Sequence, residues 1–162
     1  IIIVRSAVPT RDMGFMPGTL EEKEAFYQLP YAEMFADLLG HTNSYQDMKD
    51  AGFVRFCSTS YVRGLTWDDA VVVVDEGQNL SFHEINSVVT RLGQNSRLIF
   101  AGDLPQTDLQ KKSERSGMEK FLSIIQRMSH FSTIKFTHHD IVRSEFVKSW
   151  IVACEEYDNE QR

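Results

Sequence analysis

An α/β fold with a mostly parallel sheet is the architecture this sequence predicts, on three observations. Two short apolar runs, 70–74 and 97–101, flank an amphipathic stretch that opens at Ser81 and closes at Gly93. A strand–helix–strand unit of that length brings its strands parallel through a right-handed crossover. A third run, Ile1-Ile2-Ile3-Val4, is apolar without alternation, the pattern of a strand covered on both faces.

Taken in order, the chain opens on that buried strand. A core strand rarely starts a protein without a lead-in, so the sequence reads as truncated at its N-terminus. A loop with Pro9, Gly14, Pro17 and Gly18 follows. Thr19 and Glu22 are spaced as a capping box and start a helix, which Pro30 is expected to break or re-aim and Gly40 to end. A short helical turn is expected at 45–49, a strand at 53–57 and a loop at 61–69. Phe53, Phe56 and Tyr61 read as core residues. After the strand 70–74, Ser81 and Glu84 form a second capping box, and Phe82, Ile85, Val88, Val89 and Leu92 make one apolar helical face up to a Gly93 cap. The strand 97–101 ends in Gly102-Asp103. Ser116 and Glu119 are spaced to start another helix, with a stripe of Met118, Phe121, Leu122, Ile125 and Met128. A short strand is expected at 134–136. A last helix at 145–157 is expected to bury Phe146, Val147, Trp150, Ile151 and Cys154, before a disordered tail at 158–162. The predicted organisation is one domain over 1–157, in keeping with the ~100–200 residues of a typical domain.

Composition narrows the function. The hydrophobic share of 42% is that of a chain with a real core, and no apolar run approaches the ~18 residues that cross a bilayer. Cys57 and Cys154 form no C-x-x-C pair or disulfide framework, so the expected location is a reducing cytoplasm, away from any membrane. A formal net charge of -6 argues against a strongly basic nucleic-acid binder. The local cluster Lys111, Lys112 and Arg115 reads as a solvated loop.

In a parallel α/β sheet, ligands sit beyond the carboxyl ends of the strands. Two acidic turns lie there. Asp75, held at a strand end, can hold the water shell of a magnesium ion on nucleotide phosphates, and Glu76 beside it can polarise a water for in-line attack. A solvated acidic turn is the alternative reading of that pair alone. The second turn, Gly102-Asp103-Leu104-Pro105-Gln106, adds a glycine that lets a ligand approach the backbone and a Gln amide that both donates and accepts. Two such turns on consecutive parallel strands favour a site. Elsewhere, Arg143 ahead of a helix is either a phosphate-gripping guanidinium or a surface ion pair. His138-His139-Asp140 reads as a lead-in to the last helix.

The chain resembles the PhoH-like ATPase family, relatives of superfamily-one helicases, over nearly all of its length. The resemblance is carried by Gly14-Phe15-Met16-Pro17-Gly18 with Glu22-Lys23, by Val62-Arg63-Gly64 with Thr66, and by Asp75-Glu76-Gly77-Gln78-Asn79. It continues through Thr90-Arg91-Leu92-Gly93, Gly102-Asp103-Leu104-Pro105-Gln106-Thr107-Asp108-Leu109, Ser116-Gly117 and Asp140-Ile141-Val142-Arg143. It implies a three-layer, RecA-like P-loop NTPase core with ATP and magnesium (Mg2+) as ligands. RNA or single-stranded DNA is the implied partner, and a ring, hexameric by resemblance, the implied assembly. The implied catalytic residues are Glu76, Gln106 and Arg143. Asp75, Gln78, Gly102, Asp103 and Arg63 are implied on the nucleotide side, with Asp75 and Glu76 at the metal.

Gly77 stands where the family has Ala, Met118 where it has Leu, and Ser6 where it has Pro; none of these removes a charge. The larger departure is the phosphate loop. No G-x-x-x-x-G-K-S/T sequence occurs in the 162 residues, so the Walker A loop and its strand are lacking. Two other readings stand beside a nucleotide-driven enzyme. One is a divalent-metal-dependent ribonuclease using Asp75, Glu76, Asp103 and Asp140. The other is a non-catalytic module for nucleic-acid binding or assembly, favoured by the missing loop and disfavoured by the intact acidic turns.

Overall fold

The computed structural model describes residues 1–6, 20–103 and 112–160. The chain falls into two compact units, Ile1–Arg127 and Met128–Arg162, and each is described by itself.

The first unit is built on four strands: β1 (Ile2–Arg5), β2 (Arg55–Ser58), β3 (Val71–Val74) and β4 (Arg97–Phe100). They form one sheet in the order β2-β1-β3-β4, and every pairing is parallel. β1 is therefore interior, and Ile2, Ile3 and Val4 are all buried, as their unbroken apolar run predicts. In register, Ile3 lies beside Phe56 and Val73, while Val4 lies beside Val74, and Val74 beside Phe100. Alternation then assigns the two faces.

The Ile3 face is covered by α1 (Leu20–Leu39) and α2 (Ser44–Asp50), whose Tyr31 and Tyr45 join Ile3 and Val54 in one buried cluster. The Val4 face carries Val72, Val74 and Phe100. On this face the Phe100 ring meets Phe121 of α4 (Lys112–Ile125) at 4.6 Å between centroids. α4 lies so close to the start of α3 (Phe82–Val89) that a Cβ on Gly117 would stand 2.6 Å from the Phe82 nitrogen. The result is three layers, with helices on both faces of the sheet.

Several elements differ from the sequence expectation. Pro30 lies inside an unbroken α1. Gly40 does end it, in a left-handed backbone at φ +78° with its N–H on Ala36 O. The second strand is shifted, beginning at Arg55, and Phe53 and Tyr61 are exposed rather than core. The Ser81–Glu84 capping box forms as predicted, but α3 ends at Val89 with Thr90 as its cap. Gly93 serves a different purpose: its N–H donates to Trp67 O at 2.7 Å, and a Cβ there would collide with Asp68 and Trp67. α4 starts at Lys112, so Ser116 is interior to the helix and Lys112 and Arg115 are helical, not loop.

Among its described residues the second unit holds a short 3-10 helix at His138–Asp140 and the helix α5 (Glu145–Glu160). Thr137 and Asp140 cap that turn reciprocally, and the hydrogen bonds from the Thr137 N–H and hydroxyl hold the Asp140 carboxyl below its usual range. This bears out the reading of His138-His139-Asp140 as a lead-in. The residues 134–136 make no ladder, with Ile134 and Phe136 exposed. The α5 stripe is not buried either: Phe146 is 78% and Trp150 64% exposed. α5 also runs on to Glu160, past the expected end at 157.

Candidate functional site

The parallel sheet sets the carboxyl ends of β1, β3 and β4 side by side. Arg5 ends β1, and Asp75-Glu76 and Gly102-Asp103 follow the ends of β3 and β4. Asp75 is anchored by its own backbone, its N–H donating to Val4 O at 2.9 Å. Its Oδ2 accepts the Tyr31 hydroxyl at 2.6 Å, and Arg5 Nη1 lies 3.9 Å from the same oxygen. Arg5 Nη2 lies 3.9 Å from Glu76 Oε1, so one guanidinium spans both carboxylates. At that separation and exposure each ion pair is worth at most about 1 kcal/mol, which favours an orienting role over a stabilising one.

Burial raises the Tyr31 hydroxyl well above its ordinary value, and its hydrogen bond to Asp75 raises it further. Tyr31 is thus a neutral donor to Asp75 across the physiological range.

Glu76 has a left-handed backbone, φ 52° and ψ 41°. A non-glycine residue there costs on the order of 1 kcal/mol, offset by the bonds around it. Gly77 N–H donates to Ala101 O at 2.8 Å, and Asn79 N–H to Glu76 O at 2.9 Å. The Gln78 side chain, buried in the turn, donates through Nε2 to Glu76 Oε2 at 2.6 Å. Its Oε1 accepts the Asp103 N–H at 3.0 Å. The two acidic turns are therefore physically joined.

The sequence-predicted residues divide accordingly. Asp75, Glu76, Gln78, Gly102 and Asp103 come together. Arg63 does not join them: its guanidinium meets His83 Nε2 at the start of α3. Arg143 is exposed and belongs to the second unit, just ahead of Ser144, whose hydroxyl caps α5. Gln106, with the motif segments 14–18 and 104–109, lies outside the described residues. Two contributors were not singled out from sequence. Arg5 had a usable signal, its place at the carboxyl end of a predicted strand. Tyr31 had none, because an aromatic on a helical stripe looks like core and its partner is 44 residues away.

A metal ion here would find one well-placed carboxylate, Asp75, with Glu76 beside it. Among the described residues no group of three His, Cys, Asp or Glu converges to hold one. That donor set suits magnesium, which keeps several waters and takes phosphate oxygens beside one or two carboxylates. It does not suit an all-protein cage. Among the described residues, no helix is long and apolar enough to cross a membrane.

The chain matches the PhoH-like protein family over residues 1–155. It is 34% identical over 154 residues to a PhoH-like protein of Bacillus subtilis, covering 94% of this chain and 48% of that protein. A PhoH-like protein of Mycobacterium leprae is 31% identical over 159 residues, covering 98% of this chain and 45% of the relative. Protein PhoH of Escherichia coli is 33% identical over 146 residues, with 89% and 41% covered. The chain thus spans less than half the length of each of these relatives. With helices layered on both faces of an all-parallel, RecA-like sheet and a family match that reaches from Ile1 to residue 155, the chain belongs to the PhoH-like protein family.

Proposed function

We propose that the joined acidic turns are the phosphate end of an ATP site, and that the protein of which this chain is a part hydrolyses ATP in a helicase-like cycle on RNA or single-stranded DNA. The observation that carries the reading is the convergence of Asp75, Glu76 and the Gly102-Asp103 turn at the carboxyl ends of adjacent parallel strands, where α/β sheets bind nucleotides. Magnesium, when bound, would neutralise phosphate charge there, with Asp75 and Glu76 as its protein-side residues.

The residues of the chain then divide the work. Asp75 is oriented by Tyr31 and Arg5 so that its other oxygen is left for the metal's water shell. Glu76 orients and polarises the attacking water. Gly102 and Asp103 line the nucleotide side. Gln106 contacts the terminal phosphate or that water, and Arg143 grips phosphate on a neighbouring subunit of a ring, hexameric by family resemblance. Arg63, paired with His83 here, is assigned to the nucleotide side by resemblance alone. The phosphate grip itself has no counterpart in these 162 residues, and we assign it to a loop elsewhere in the complete protein.

The decisive experiment is Glu76→Gln in the full-length protein. Turnover is expected to fall to background while a fluorescent ATP analogue still binds with wild-type affinity. Steady-state hydrolysis at the wild-type rate would sink the assignment of Glu76.

A further inference from the structure

We propose that Gln78 is a positioning residue that couples the two strand-end turns, reading the backbone of Asp103 with one end of its amide and aiming Glu76 with the other. The inference rests on the ATPase reading above for its purpose, though not for its geometry.

Gln78 is 4% exposed, so its amide cannot exchange its partners for water. The orientation of that amide follows from chemistry. The Asp103 N–H can only donate, so it must face Oε1, at 3.0 Å. Nε2 then points to Glu76 Oε2 at 2.6 Å, where a carboxylate can accept. The flipped amide would set donor against donor and acceptor against acceptor at both ends.

The backbone is cut to fit this arrangement. A Cβ on Gly102 would stand 3.0 Å from both the Gln78 backbone nitrogen and the side-chain Oε1, so a side chain there would crowd the amide. On the other side, the left-handed backbone of Glu76 turns its carboxylate back toward Gln78. Glu76 is thereby held by backbone bonds on both sides, by Arg5 at 3.9 Å, and by one side-chain hydrogen bond from an amide whose far end lies on the next strand's turn.

A rigid amide transmits displacement. If the Asp103 backbone moves, Oε1 follows it, and Nε2 moves against Glu76. A hydrogen bond of 2.6 Å has little slack, so a shift of a few tenths of an ångström re-aims the carboxylate. The residues that follow Asp103 in sequence include Gln106, assigned above to the terminal phosphate. Gln78 therefore makes the aim of Glu76 depend on the state of the second turn.

The test uses two variants in the full-length protein, beside Glu76→Gln. Gln78→Glu keeps an acceptor for Asp103 but sets like charge against Glu76. Gln78→Leu removes both contacts at similar volume. With Gln78→Glu, the Asp103 amide should keep its slow hydrogen exchange and a fluorescent ATP analogue its affinity within about twofold, while kcat falls about 10- to 100-fold. With Gln78→Leu, Asp103 exchange should accelerate and kcat should fall as well. A merely structural role would move exchange, affinity and kcat together.

Wild-type kcat in Gln78→Glu, in a protein where Glu76→Gln is inactive, overturns the proposal alone. Unchanged Asp103 exchange in Gln78→Leu overturns the clamp itself. An active Glu76→Gln overturns the ATPase reading, and the catalytic purpose of the clamp with it.

Discussion

A tyrosine hydroxyl on one oxygen of Asp75 is the smallest feature with the widest consequence. Tyr31 reaches from α1 to the end of β3, and its bond to a partly buried carboxylate is charge-assisted. Tyr31→Phe should lower stability by about 1–2 kcal/mol, read from the midpoint of a urea melt. The same burial has a pH signature. Burial raises both Tyr31 and Tyr45, the latter from its ordinary 10.0 to about 12. Folding thus favours the protonated phenols, and the stability this brings is whole below about pH 10. It is lost as pH climbs from there through the raised values. Thermal midpoints should decline progressively between about pH 10 and 12, and Tyr45→Phe should flatten part of that decline. A pH-independent melt over this range would count against buried, protonated phenols.

Between elements, glycine governs how closely the turn after β3 meets β4. A Cβ on Gly77 would overlap the Phe100 ring and stand 3.0 Å from Ala101 O. The Gly at 77 and the Phe at 100 are therefore a matched small-and-large pair. Gly77→Ala should cost about 1–3 kcal/mol by overpacking. In the background of Phe100→Leu most of that cost should vanish, giving a coupling of about 1 kcal/mol or more in a double-mutant cycle. Strict additivity of the two substitutions would remove the pairing. Boundaries at this scale were less legible than existence. Ser81 and Glu84 announced α3 correctly because a capping box is a local chemical contact. Its end was misjudged because Gly93 is needed for close approach to Trp67, not for a left-handed cap. Ser116 and Glu119 had the right spacing for a box, yet α4 begins a turn earlier, so the spacing alone does not start a helix.

Across the whole molecule, apolar surface is left open in both units. Among the described residues β4 is an edge strand, with Ile99 52% exposed, and Ile134, Phe136, Phe146 and Trp150 are exposed in the second unit. Unburied side chains of this size forgo on the order of 1.5–3 kcal/mol each. These 162 residues alone should therefore melt at low temperature and with weak cooperativity, and should bind ATP more weakly than micromolar. The full-length protein should show a sharper calorimetric transition and tighter binding. A cooperative melt and micromolar ATP affinity in the isolated 162 residues would overturn this.

The sequence by itself determined the fold class, the parallel order of β3 and β4, and the two acidic turns, because each follows from periodicity, crossover handedness or local spacing. Glu76 could be picked out in this way, since it lies in a strand-end turn, whereas Gln78 was singled out only through the family resemblance. Only the tertiary structure decided what those residues do to one another. It placed Arg5 across both carboxylates, brought Tyr31 to Asp75, turned the Gln78 amide into a bridge to Asp103, and paired Arg63 with His83. It also left 134–136 without a ladder and the α5 stripe exposed, against their apolar patterns. The reason is physical. An apolar pattern states that a residue can be buried, while a neighbouring strand or a polar partner must arrive through space, at distances along the chain that no local signal encodes.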